Sequence, residues 1–168
     1  MSDMASFGIG GGRIDARKAE SILDNAKEFA AKSGVEILLM DANLVFGRNH
    51  LESAVEHAFR AFERGTNVAT AKMLEVMLYA SGERQLSTAI KKLGVKGTTR
   101  CLAIVVSDQS KLDEVMERLQ ITKDGTVLNG NTENLISFGI SREAISGTSG
   151  DKVMDLVLEK VALVDLLK

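Results

Sequence analysis

The 168-residue chain can bury a core without disulfides or metal staples, and 45% hydrophobic with 26% charged residues is ordinary globular composition. A net charge of −2 excludes a strongly basic nucleic-acid module while leaving room for a local basic patch, and the single cysteine excludes a disulfide framework or a cysteine zinc cage. No apolar run approaches the ~20 residues of a membrane span, and MSDMASFGIGGGR lacks the basic-then-apolar order of a signal peptide, so a soluble cytoplasmic chain without a membrane partner is expected.

Gly8-Ile9-Gly10-Gly11-Gly12 comes first, ahead of a helix. A glycine-rich loop at a helix N-terminus can hold phosphate through backbone N–H groups. Here Arg13 stands where a dinucleotide fingerprint needs its third glycine, so residues 1–13 read as a flexible connection. Asp15 then caps a helix to about Lys32, stopped by Gly34. The run 35–41, VEILLMD, reads as a strand buried on both faces. Asn43 to Phe46 form a short strand or turn. Asn49 and Glu52 have capping-box spacing, opening a helix to about Gly65.

A helix over about 70–81 ends at Gly82, and another over 83–93 ends at Gly94. TTRCLAIVVS, 98–107, is a second buried strand, and Asp108 caps a helix to about Leu119. Lys123-Asp124-Gly125-Thr126 signals a tight turn within a small hairpin. Asn131 or Thr132 caps a short helix to Phe138, Ser141 another to Ile145, and the last helix runs over about 149–167. The expected class is mixed α/β (α+β), a helix-rich single domain over 1–168 packed around a small central mixed β-sheet.

Catalytic constellations are hard to find. His50 and His57, seven residues apart on one helix, lie about 10 Å apart along its axis, too far to share a metal ion. They read as structural. No G-x-S-x-G elbow occurs, and Cys101 in a buried strand reads as inert. No catalytic residue, metal ligand or cofactor is expected. The polar residues Asn129, Asn131, Asn134 and Arg142 are the cluster that a small-ligand-binding or enzymatic α/β domain would use.

Two helices are apolar nearly all round, where a surface helix should show one stripe. In the first, Leu74, Met77, Leu78 and Ser81 share one side, while Met73, Val76 and Ala80 occupy another. Helical geometry leaves it either sandwiched in the core or docked on a partner through Met73, Val76, Met77 and Ala80. The C-terminal helix poses the same question: Met154, Val157, Val161 and Val164 form a stripe, and Leu156, Leu163, Leu166 and Leu167 spread around it. It could serve self-association, as in a structural homodimer, or a partner. Arg84, Lys91, Lys92, Lys96 and Arg100 form a basic cluster that reads as a solvated face or a phosphate-contacting surface.

The run Leu74-Glu75-Val76-Met77-Leu78-Tyr79-Ala80-Ser81-Gly82-Glu83-Arg84-Gln85-Leu86, with Ala89-Ile90 and Leu93-Gly94-Val95, resembles the central motif of the kinase-binding accessory subunit of the KEOPS complex, the PRPK-binding protein family. Asn43-Leu44-Val45-Phe46-Gly47 with His50-Leu51 and Ala54 is similar to that family's second motif. The resemblance is good over residues 35–106 and weaker over the N-terminal glycines and 120–150. It implies a non-catalytic, archaeal-type subunit serving threonylcarbamoyladenosine formation at tRNA position 37. Its implied direct partner is a small atypical kinase acting as an ATPase, with the other KEOPS subunits contacted indirectly. It further implies help in recruiting tRNA by its 3′ CCA end. On this expectation Met73, Val76, Met77 and Ala80 meet the kinase, and Arg84, Lys91, Lys92 and Lys96 meet tRNA.

Overall fold

A computed structural model describes residues 6–168. Of the segment read as flexible, residues 1–5 lie outside the described residues. Two compact units are present, each assembled from two separated stretches: residues 6–42 with Gly94–Leu128, and Asn43–Leu93 with Asn129–Lys168.

The first unit holds the sheet. Strands β1 (Gly8–Arg13), β2 (Ile37–Asp41), β3 (Cys101–Val106) and β4 (Thr122–Lys123) lie in the order β2-β3-β1-β4, and every pairing is antiparallel. The mixed α/β class therefore holds, with an antiparallel sheet rather than one of mixed direction. Helices α1 (Ile22–Ser33) and α5 (Leu112–Arg118) belong to this unit. Ile22 and Ala26 from α1, and Val115 and Met116 from α5, join Leu39, Leu102, Ile104 and Val106 in one apolar core. Alternate residues of β3 thus face the two helices, as a pleated strand requires.

The GIGGG stretch forms β1, not a flexible connection or a phosphate loop. Lacking aromatic or β-branched bulk, it carries no ordinary strand signal. Its glycines work by what they omit. A Cβ on Gly11 would stand 2.7 Å from Val127 Cγ2, and one on Gly12 would stand 3.1 Å from Met116 Cε and closer still to Ile121. Neighbours therefore press against the β1 backbone on both sides. The 123–126 turn likewise closes no local hairpin, because β4 pairs with the distant β1.

The second unit, among its described residues, is helical: α2 (Arg48–Arg64), α3 (Lys72–Ser81), α4 (Leu86–Leu93), α6 (Leu135–Phe138), α7 (Arg142–Ser146) and α8 (Asp155–Leu167). Gly34, Gly65 and Gly82 end α1, α2 and α3 in the left-handed conformation, the usual helix stop. The N-terminal signals were less reliable. Asp15 precedes only one 3-10 turn, and α1 begins after Ser21. Residues Asn49 and Glu52 form no capping box: α2 starts one residue earlier, and Glu52 pairs with Arg48 at 3.2 Å. By contrast, Ser141 caps α7 by accepting the Ala144 N–H, and Asn131 accepts from Glu133 N ahead of α6.

Candidate partner-docking surface

In the second unit α3 packs against α2, α4 and α8, so three sides are taken. Val76 and Ala80 are completely buried, and Met73 and Met77 are 6% and 5% exposed. The four residues read as a docking face are core. A helix apolar all round is sandwiched here, because a neighbour covers each side that the sequence could have offered to a partner.

His50, read as structural, explains part of this arrangement. It is fully buried on α2, where Nδ1 accepts the Phe46 N–H at 3.0 Å and Nε2–H donates to Ala80 O at 2.7 Å. One side chain therefore ties the entry of α2 to the end of α3. Burial pushes its pKa down to about 4, against the opposing effect of the Ala80 bond, so the ring stays neutral. Its ring and that of Phe138 stand edge-to-face, with centroids 5.5 Å apart and the planes at 90°.

The basic residues divide. Arg84 and Lys91 are exposed. Lys92 is not a surface cation: its ammonium donates to Ser81 O at 2.6 Å and Glu83 Oε2 at 3.0 Å, and lies 4.1 Å from the Phe138 ring centroid. Burial lowers its pKa, although Glu83 raises it, and the side chain closes the C-terminus of α3. Lys96 is exposed and donates to Gly94 O, but it belongs to the first unit. Of the four, Lys92 is therefore not offered to solvent as a free cation. Gly82 also takes a second role, since a Cβ there would stand 2.8 Å from Lys160 Cγ of α8.

Among the described residues of this unit, α8 carries three of the six exposed large hydrophobics, the others being Val68, Ile90 and Ile136. Val157, Val161 and Val164, spaced i, i+4, i+7, are fully buried against the unit. The outer side is mixed: Leu163, Leu166 and Leu167 are 42%, 79% and 50% exposed, and the exposed acids Asp155 and Glu159 flank Leu166. Beside it runs an open groove of about 240 Å³ lined by Ile140, Ala144, Leu156 and Leu163, with Glu159 and Lys160 also lining it. Clustered exposed leucines next to an apolar groove with charged neighbours are what a protein-contact surface offers.

Under the last turn of α8 lies a polar cluster that the sequence did not reveal. Glu75 is fully buried and accepts the N–H groups of Val68 at 3.0 Å and Ala69 at 2.8 Å. Lys168 completes its partners at 2.6 Å. Tyr79 OH donates to Asp165, whose other oxygen accepts from His57 Nδ1 at 3.1 Å. Burial pushes the Tyr79 phenol well above its ordinary range, and Asp165 adds to the shift. Burial works against the Asp165 carboxylate, yet the bonds from Tyr79 and His57 hold its pKa below the usual value. A lone acid in an apolar helix was the available signal, because a buried carboxylate requires partners.

Cys101 is half-buried at the head of β3, where Arg13 donates to its sulfur at 3.4 Å, rather than sealed in the interior. Among the described residues, no group of three or more His, Cys, Asp or Glu side chains is placed to hold a metal ion, and no helix is long and apolar enough to cross a membrane.

The sequence model of a family described as "Kinase binding protein CGI-121" matches residues 15–164. The chain is also 30% identical over 137 residues to "Regulatory protein Cgi121" of Methanocaldococcus jannaschii, an alignment covering 80% of this chain and 87% of that protein. The match extends across both compact units and includes β2, β3 and α1 to α7 along with most of α8. The chain belongs to the CGI-121 kinase-binding protein family.

Proposed function

We propose that this chain is a non-catalytic subunit of a KEOPS-type assembly for tRNA threonylcarbamoyladenosine, and that it binds a small atypical kinase through the outer face of α8. The kinase-binding family supplies the class of partner. The observation that carries the location is the trio Leu163, Leu166 and Leu167, exposed on a helix whose opposite stripe is already buried. Burying a leucine fully is worth about 1.5–3 kcal/mol, so Leu166, 79% exposed, offers most of that and Leu163 and Leu167 about half each. The groove beside Leu156 and Leu163 gives an apolar side chain of the kinase a place to enter.

Help in recruiting the tRNA 3′ CCA end is the finer part of the reading, and in the second unit Arg84 and Lys91 support it as exposed cations. Lys92 is left out because its ammonium serves the protein interior.

Size-exclusion chromatography of the chain with the small kinase from its own genome tests the docking role. The wild type should co-elute and Leu166→Glu should not, with both folded by circular dichroism. Failure of the wild type to co-elute would overturn the kinase reading. Self-association through the same leucines is the competing use of this face, and the chain run alone would then elute as a dimer that Leu166→Glu dissolves.

A further inference from the structure

The inward apolar stripe of α8 ends at Val164, yet two of its three exposed leucines lie beyond that residue. What holds the last turn is polar. Asp165 bonds Tyr79 of α3 and His57 of α2, and Lys168 bonds Glu75 of α3 while lying 4.4 Å from the Tyr79 ring centroid. His57 stacks on Tyr79 at 5.4 Å with 23° between the ring planes.

We infer that His57, Glu75, Tyr79, Asp165 and Lys168 form a latch that fixes the rotation of the last α8 turn and thereby pre-forms the docking face. This rests on the reading of that face as the kinase-binding surface. The five side chains are positioning residues, acting on the partner through Leu166 and Leu167.

The argument is geometric. Apolar packing tolerates small slides and rotations, whereas hydrogen bonds lose strength steeply with misalignment. Leu166 follows Asp165 and Leu167 precedes Lys168, so the two latched residues bracket the exposed pair. Each residue turns the helix by about 100°, so holding residues 165 and 168 sets the direction of 166 and 167. A terminal helical turn frays readily when little holds it. Here fraying would strip Glu75 of its ammonium and Tyr79 of its acceptor while both are buried, which favours a latched state over a partly slipped one. A face ordered in advance binds more tightly because its ordering cost is not met during association.

The test uses the full chain carrying Tyr79→Phe with Lys168→Met, and Lys168→Arg as the conservative control. Hydrogen exchange should quicken by about tenfold or more at the amides of residues 165–168 and stay unchanged at 157–161. Affinity for the small kinase should fall about tenfold, with Lys168→Arg within about twofold of wild type. If the double variant melts more than about 8 °C lower, Asp165→Asn, at a side chain that is partly exposed, gives the same reading without loss of the fold. Unchanged exchange or unchanged affinity, while Leu166→Glu still weakens binding strongly, would overturn the latch and leave the docking face standing. If Leu166→Glu also binds normally, the docking face and the latch that serves it are both wrong.

Discussion

Helices α3 and α8 look alike in sequence and differ in situation. Both carry apolar residues on more than one side, and both could be read as partner surfaces. Helix α3 is enclosed by α2, α4 and α8, and even its carboxylate is buried. Helix α8 packs against α2 and α3 through one valine stripe and the polar contacts of Asp165 and Lys168, and leaves three leucines partly or largely exposed. An apolar girdle therefore does not by itself say where a helix sits, and the number of neighbours decides whether its second face meets the core or solvent.

The sharpest way to break this comparison is to place the same charge on each helix. Met77→Glu buries an unpaired carboxylate in the core and should cost more than about 4 kcal/mol, leaving little folded protein by circular dichroism. Leu166→Glu sits at a largely exposed position and should shift stability by less than about 0.5 kcal/mol in urea unfolding. A folded Met77→Glu variant would mean that α3 is not enclosed as described.

The His50 contact between α2 and α3 gives the next largest effect. Its folded pKa of about 4 lies below the ordinary 6.5, so the unfolded chain takes up the extra proton between those values. The stability from the neutral ring is complete above pH 6.5 and declines as pH falls through 4. About 3 kcal/mol is lost across that window, since one proton taken up only by the unfolded chain costs roughly 1.4 kcal/mol for each step of one in pH. Urea unfolding at pH 7 and pH 5 should show a steeper fall for the wild type than for His50→Gln; equal slopes would remove His50 as the cause.

Binding effects come next. Leu166→Glu should weaken the kinase complex by about 2 kcal/mol or more, roughly thirtyfold, by calorimetric titration. The smallest effect belongs to the basic residues. Arg84→Ala or Lys91→Ala should each weaken tRNA binding about uniformly across sequences and lower the salt slope by about one. Lys92→Ala should instead lower stability, since Ser81 O and Glu83 lose their partner.

Much of the fold was legible where the signals were local and unambiguous. The runs around Leu38 and Ile104 gave strands, and Gly34, Gly65 and Gly82 gave helix ends, because both signals act within a few residues. The strand β1 was not legible. Its glycines serve contacts with Met116, Ile121 and Val127, more than 100 residues away, and such closeness leaves no periodic trace. The family's central motif was legible as a resemblance, but its role was not: Tyr79, Ser81 and Gly82 serve internal contacts with Asp165, Lys92 and Lys160. The exposed leucines could not be fully separated from core because α3 and α8 share one pattern and tertiary packing tells them apart. Leu166 and Leu167 were visible as apolar residues outside the valine stripe, which was the usable clue.

Hydrogen exchange on the free chain and on its complex with the small kinase tests the central claim most directly. Added protection over residues 156–167 of α8, with residues 73–80 of α3 unchanged, is the predicted result. Protection gained elsewhere while α8 exchanges as in the free chain would contradict it.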